Sequence, residues 1–351
     1  MDMTINSLVI ISSKMVVISS MLYLLAMALY IFYIVFKNKK IGLAATITGV
    51  TGFILHFISF IIRWVEFYKI TKGGIFQSIP ITNKYESLMF FALLLAAFYI
   101  VLEFKTKNKS LGAFAFAISG SLSLFINAIS VPSNLNLLVP ALKSNWLLAH
   151  VSLSFTAYVC FTIASIAAML YLIKTVDSKK RYSYIVYTLV LGIVSAAVIT
   201  IIINVILGQR ANTTNMIIIF LFFAISFFIF FYQKGLNLKN VFKDIGYEQD
   251  KIESIIYKFI AVGFAIFTVG GMVFGAIWAQ TAWGRFWQWD AKETWTFITW
   301  IVYGIYLHGR LSNKWSKEFA ATLALIGFLV TLFTFLGVNL LFAGLHSYGS
   351  V

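Results

Sequence analysis

The sequence predicts an all-α, polytopic integral membrane bundle of about ten transmembrane helices, with both termini on the extracytoplasmic side. Three observations lead there. Of the 351 residues, 61% are hydrophobic and only 11% charged, with a mean hydropathy of +0.91; soluble domains carry roughly 25% charged residues. Apolar stretches able to cross a hydrocarbon core, which takes roughly 20 residues of helix, recur along the whole chain. The basic residues also segregate, with 18 of the 27 lysines and arginines in alternate loops. The positive-inside rule assigns that set to the cytoplasmic side.

The elements follow in order. A first span covers about 8–36; its leader carries Asp2 instead of a basic cluster and no A-x-A site follows, so it reads as retained and not as a signal peptide. Spans at 41–62, 86–104 and 111–127 come next, with inner turns marked by Lys37, Lys39 and Lys40 and by Lys105, Lys107 and Lys109. Then come 147–173, 183–207 and 214–232, with Lys174, Lys179, Lys180 and Arg181 on the inner side. The series closes with 257–278, 294–311 and 319–343, the last two joined by a turn holding Arg310, Lys314 and Lys317. The inner stretch 233–256 mixes charges of both signs and reads as a solvated amphipathic connector. The outer side owns 63–85, 128–146, 279–293 and the tail after 343. Residues 1–351 form a single transmembrane domain, within which 279–300 is a distinct tryptophan-rich segment.

Several function classes fall away. The net charge of +15 is loop charge of a membrane protein, and no nucleic acid partner is expected. The lone Cys160 lies in an apolar run and reads as a buried small hydrophobe. There is no disulfide framework, CxxC or CxxCH, so the chain cannot itself carry covalently attached haem. GxSxG, P-loop and GxGxxG patterns are absent. The ionisable residues fall almost wholly in loops, which ranks a solute transporter last.

Chemistry concentrates near the C-terminus. Six of the nine tryptophans lie between 278 and 300: Trp278, Trp283, Trp287, Trp289, Trp295 and Trp300. An interfacial aromatic belt explains one or two per helix end. It does not explain Gly284, Arg285, Asp290, Lys292 and Glu293 set among them. Flat apolar faces beside two cations suit a planar amphipathic ligand bearing carboxylates, such as a porphyrin. Arg285 and Lys292 are the candidate contacts for those carboxylates, whereas Asp290 and Glu293 fit helix capping or pairing with the cations better. Gly271 and Gly275 form a small-xxx-small pair that reads as helix packing.

Four histidines occur: His56, His150, His308 and His346. On this topology His150 and His346 share the outer face with the tryptophans, and two imidazoles beside such a platform describe a bis-histidine haem site. His308 lies near the inner end of its span and lacks a partner in this chain. His56, roughly 22 Å along the second span, reads as a packed histidine.

The run AWGRFWQWDAKETWTFITW, with IYLHGR and FLGVNLLFAGLHSYG after it and NKYESLMFF and VPALKSNWLLAHVSLSFTAY before it, resembles the tryptophan-rich WWD haem-handling proteins. Within them it is similar to the CcsA (ResC) family of system II cytochrome c assembly. The resemblance implies that haem b is carried across the membrane and joined to the CxxCH of apocytochrome c, in complex with a second membrane protein, CcsB. Thiol-reducing membrane proteins are further possible partners. It implies that Trp283, Trp287, Trp289, Asp290 and Trp295 belong to the outer haem-binding segment and that His150 and His346 are axial ligands. His308 would then share a haem within the membrane with a histidine of CcsB. The implied location is a bacterial plasma or thylakoid membrane, with the haem site on the periplasmic or lumenal side. The alternative is a b-type electron carrier, which needs facing histidine pairs at matching depth.

Overall fold

The computed structural model describes residues 3–71, 74–81, 83–128, 144–206, 213–243, 246–312, 314–338 and 342. Among these residues the regular structure is helical, with no strand. The helices are α1 (Met3–Phe36), α2 (Lys39–Thr71), α3 (Lys84–Thr106), α4 (Gly112–Ala128), α5 (Asn145–Thr175), α6 (Tyr182–Ile206) and α7 (Thr213–Phe242). They continue with α8 (Gln249–Phe267), α9 (Gly275–Trp283), α10 (Ala291–Leu311) and α11 (Lys317–Leu332). Two π-helical turns interrupt the series: Thr268–Phe274 joins α8 to α9, and Phe333–Gly337 prolongs α11. Eight helical stretches are long and apolar enough to cross a membrane, with α8, the first π turn and α9 counting as one.

Helix starts follow local chemistry. The side chains of Asn83, Ser144, Asp290 and Ser316 accept the backbone N–H three residues on, capping α3, α5, α10 and α11. The described part of each of the ten sequence spans is mainly helical, although α4 and α10, which carry the spans 111–127 and 294–311, are not among the eight. The principal differences are extensions: α2 runs nine residues past its expected end, α7 runs to Phe242 and α8 begins at Gln249. The stretch 233–256 is therefore largely helix, and Tyr247, Ile252 and Ile256 bury their side chains. Its charged residues are spaced so that an apolar stripe remains, and that stripe packs.

Helix α5 is the central post, packed against α3, α8, α11 and the first π turn. Its small residues Ala157, Ala164, Ala167 and Ala168 let neighbours approach closely. Cys160 is buried in the α5–α8 seam, where a Cβ on Gly263 would lie 2.9 Å from it. The peripheral α7 presents Ile218, Leu221, Phe222 and Ile225 outward, as a lipid-facing helix does.

Ionisable groups are not confined to loops. Because α2 continues to Thr71, Arg63 and Glu66 face inward from it. Arg63 binds Glu86 of α3 at 2.7 Å and lies 4.5 Å over the Tyr85 ring, and Glu66 is fully buried beside Ser12 of α1. Nearer the other end of these helices, Glu103 accepts from Tyr30, Tyr99, Thr46 and Lys109 at 2.5–2.6 Å. A buried carboxylate so fully hydrogen-bonded is a structural anchor.

Candidate functional site

His150 lies in the second turn of α5, half-buried. Its Nδ1 is 2.8 Å from the carbonyl oxygen of Gly270 in the first π turn. A carbonyl only accepts, so Nδ1 carries the proton and the lone pair of the neutral ring falls on Nε2. Behind the ring, the indole of Trp278 in α9 lies parallel to it, with centroids 6.2 Å apart and planes 9° apart. Trp278 is buried and meets Trp283 edge-on at 4.8 Å. A Cβ on Gly275 would come within 2.9 Å of the imidazole. The GGMVFG segment is thus helix packing of a particular kind, with bare backbone seated against a histidine.

After Trp283 the chain turns at Gly284, whose φ of +75° closes α9 by donating to Gln280. The segment that follows carries Arg285 and Phe286 exposed to the surroundings. Trp287 and Trp289 meet edge-on at 5.7 Å, and Trp289 meets Phe297 likewise at 5.9 Å. Trp289 has φ +58°, a left-handed conformation costly for a bulky side chain, and is 64% exposed. The Trp287 Nε1 is buried with no hydrogen-bond partner among the described residues. An orphaned donor and a strained, exposed indole in one loop are features a packed structural turn does not require.

Asp290 ends the loop as the N-cap of α10, its Oδ1 accepting from Glu293 N at 2.8 Å, while Glu293 reaches back to Gln288 N at 2.6 Å. Asp290 therefore has the capping role the sequence favoured, while Glu293 ties the preceding loop to the first turn of α10. Replacing Asp290 by alanine is expected to lower stability by about 1 kcal/mol, read as an earlier thermal transition of the detergent-solubilised protein.

Lys292 extends from the first turn of α10 to the second π turn, its Nζ 3.2 Å from the Phe335 carbonyl and 5.8 Å from that ring's centroid. Desolvation brings its ammonium down to about 8, against the raising pull of Asp290. A lysine lowered this way is cationic below pH 8 and neutral above it. If it holds a ligand carboxylate, retention of that ligand falls as pH rises through about 8. Lys292→Arg is expected to remove the dependence, measured as ligand loss between pH 7 and 9. Trp295, one turn on, packs on Phe333 at 4.2 Å, and Trp300 donates to Thr268 of the first π turn at 2.9 Å.

The structure thus sets His150, Trp278 and Trp283 about the first π turn and Lys292 and Trp295 against the second. His308 is separate. It lies exposed on α10, eighteen residues beyond Asp290 and so roughly 27 Å away along the helix. Beside it, Arg310 pairs with Glu253, and Lys317 binds Asp250 at 2.7 Å and Glu253 at 3.0 Å. His346 lies outside the described residues. His56 is fully buried, its Nδ1 3.4 Å from the Tyr23 hydroxyl in the α1–α2 interface, a packed position as its sequence context suggested. Sequence reasoning counted Trp278 among the clustered indoles, named no partner for it and gave Gly270 no role.

Fold and site together define an integral membrane helical protein with a histidine whose ring is held by a backbone carbonyl and backed by an indole pair. The Cytochrome C assembly protein family model matches residues 81–210 and 213–346. Cytochrome c biogenesis protein CcsA of Guillardia theta is 35% identical over 327 residues, covering 91% of this chain and 86% of the relative. CcsA of Chlorella vulgaris is 35% identical over 326 residues (90% and 91%), and that of Prochlorococcus marinus 32% over 324 (91% and 92%). The chain belongs to the cytochrome c assembly family, in its CcsA branch. Among solved structures, cytochrome c haem lyase CcmF superposes with a TM-score of 0.58 at 14% identity, covering 95% of this chain and 47% of that one. That likeness shows a shared fold.

Proposed function

We propose that the chain is the haem-handling subunit of a cytochrome c synthase. It receives haem b at His308 and holds it on the outer face between His150 and His346, on a bed formed by Trp283, Trp287, Trp289 and Trp295. Arg285 and Lys292 meet the propionates. The observation that carries this reading is the His150 ring, held by Gly270 and Trp278 in the tautomer that ligates through Nε2, beside the tryptophan segment. The orphaned Trp287 N–H adds a donor for a propionate oxygen.

The reaction is addition. Each cysteine S–H of the substrate's CxxCH adds across one vinyl C=C of the haem; an S–C bond forms, the hydrogen passes to the neighbouring carbon, and nothing is oxidised. The protein's contribution is then proximity and orientation. The thiols must arrive reduced, which makes thiol-reducing membrane proteins natural associates. The exposed position of His308 on α10 suits a ligand shared with a CcsB-type subunit. The membrane is the bacterial plasma or thylakoid membrane, with the platform on the periplasmic or lumenal side.

The test uses the complex purified from its own membrane. The preparation should be red, and a CxxCH apocytochrome with reduced cysteines should acquire haem that resists acid–acetone extraction. A colourless preparation, or product haem that extracts, overturns the proposal.

A further inference from the structure

We propose that the π turn Thr268–Phe274 is a positioning element for His150, working through Gly270 within it and Gly275 directly after it. The inference rests on the reading of His150 as an iron ligand and concerns how the ring is set, not whether it binds. Helical carbonyls are normally taken by the backbone N–H four residues on, so they are poor acceptors for side chains from another helix. In a π turn the ladder is out of step. Here the Gly275 N–H turns to the Met272 carbonyl, and Gly270 presents its oxygen to His150 Nδ1 at 2.8 Å. The same device recurs across the site, where Phe335 in the other π turn gives its carbonyl to Lys292 Nζ at 3.2 Å.

The surrounding packing leaves the ring little choice. Gly270 lies so close to α5 that an added Cβ would stand 2.2 Å from Leu153 Cβ. Gly275 seats its bare Cα against the imidazole, where a Cβ would stand 2.9 Å from both Cε1 and Nδ1. Trp278 backs the ring in parallel. One carbonyl sets the tautomer, and glycine and indole set the plane. Both act through His150 and touch no reacting atom themselves.

Two experiments test this on the purified complex. In the first, Gly275→Ala should tilt the imidazole. The low-spin haem signature should turn partly high-spin and the midpoint potential should shift, with added imidazole restoring the spectrum. Gly304→Ala, whose Cβ makes an ordinary 3.7 Å contact, is the control and should leave both unchanged. In the second, His150→Gly is supplied with either imidazole or 1-methylimidazole. Only imidazole can ligate iron and donate an N–H to Gly270, so it should restore the low-spin spectrum at a concentration on the order of tenfold lower. This second arm does not depend on the Gly275 variant accumulating. Equal rescue by the two imidazoles overturns the positioning role. If His150→Ala keeps an unaltered low-spin spectrum, the ligand assignment itself fails, which is a separate result.

Discussion

His150→Ala is expected to remove the low-spin haem signal of the outer site and to reduce cytochrome c maturation at least tenfold. The expectation comes from what the substitution leaves behind. The Gly270 carbonyl and the Trp278 face stay in place, so the pocket keeps its shape while the atom on which its geometry converges is gone. The protein should accumulate normally, because His150 is only half-buried and its backbone is regular helix. Imidazole should restore the spectrum, which distinguishes a missing ligand from a misfolded chain. The same spectrum and maturation level in His150→Ala as in the parent would remove the outer haem site from the scheme.

The second large effect is on stability. Arg63→Ala leaves Glu86 buried without the cation it pairs with among the described residues, at a cost of about 3–5 kcal/mol. That is a large part of the 5–15 kcal/mol typical of folded domains. Thermal unfolding in detergent should show it directly. Pairing Arg63→Met with Glu86→Leu removes both charges of the 2.7 Å contact and should recover more than half of the loss. A single variant within 1 kcal/mol of the parent would mean that water reaches this cluster and that the charges are solvated.

The sequence made the helices legible because a hydrocarbon core demands long apolar runs, and each such run lies on a helix. It also placed the tryptophan loop and the Asp290 cap, since both depend on neighbours close in the chain. It misplaced Arg63 and Glu66, treated as loop residues, because a span's apolar part ends before its helix does. Nothing local announces that α2 continues to Thr71. The π turns were illegible for another reason. Hydrophobic periodicity at 3.6 residues and at the looser π pitch cannot be told apart over seven residues, so the carbonyl of Gly270 had no sequence signal. Trp278 was visible as one of six indoles, but its partner lies over a hundred residues away on α5. Contacts of that range follow from packing, which composition does not encode.

Helix α10 is clamped at each extremity. Asp290 and Glu293 lock one end to the tryptophan loop, and Arg310 ties the other to α8 through Glu253. The first pair of contacts fixes the loop to its own helix and the second fixes that helix to its neighbour, so the separation along α10 between His308 and Asp290 is set by a count of peptide units.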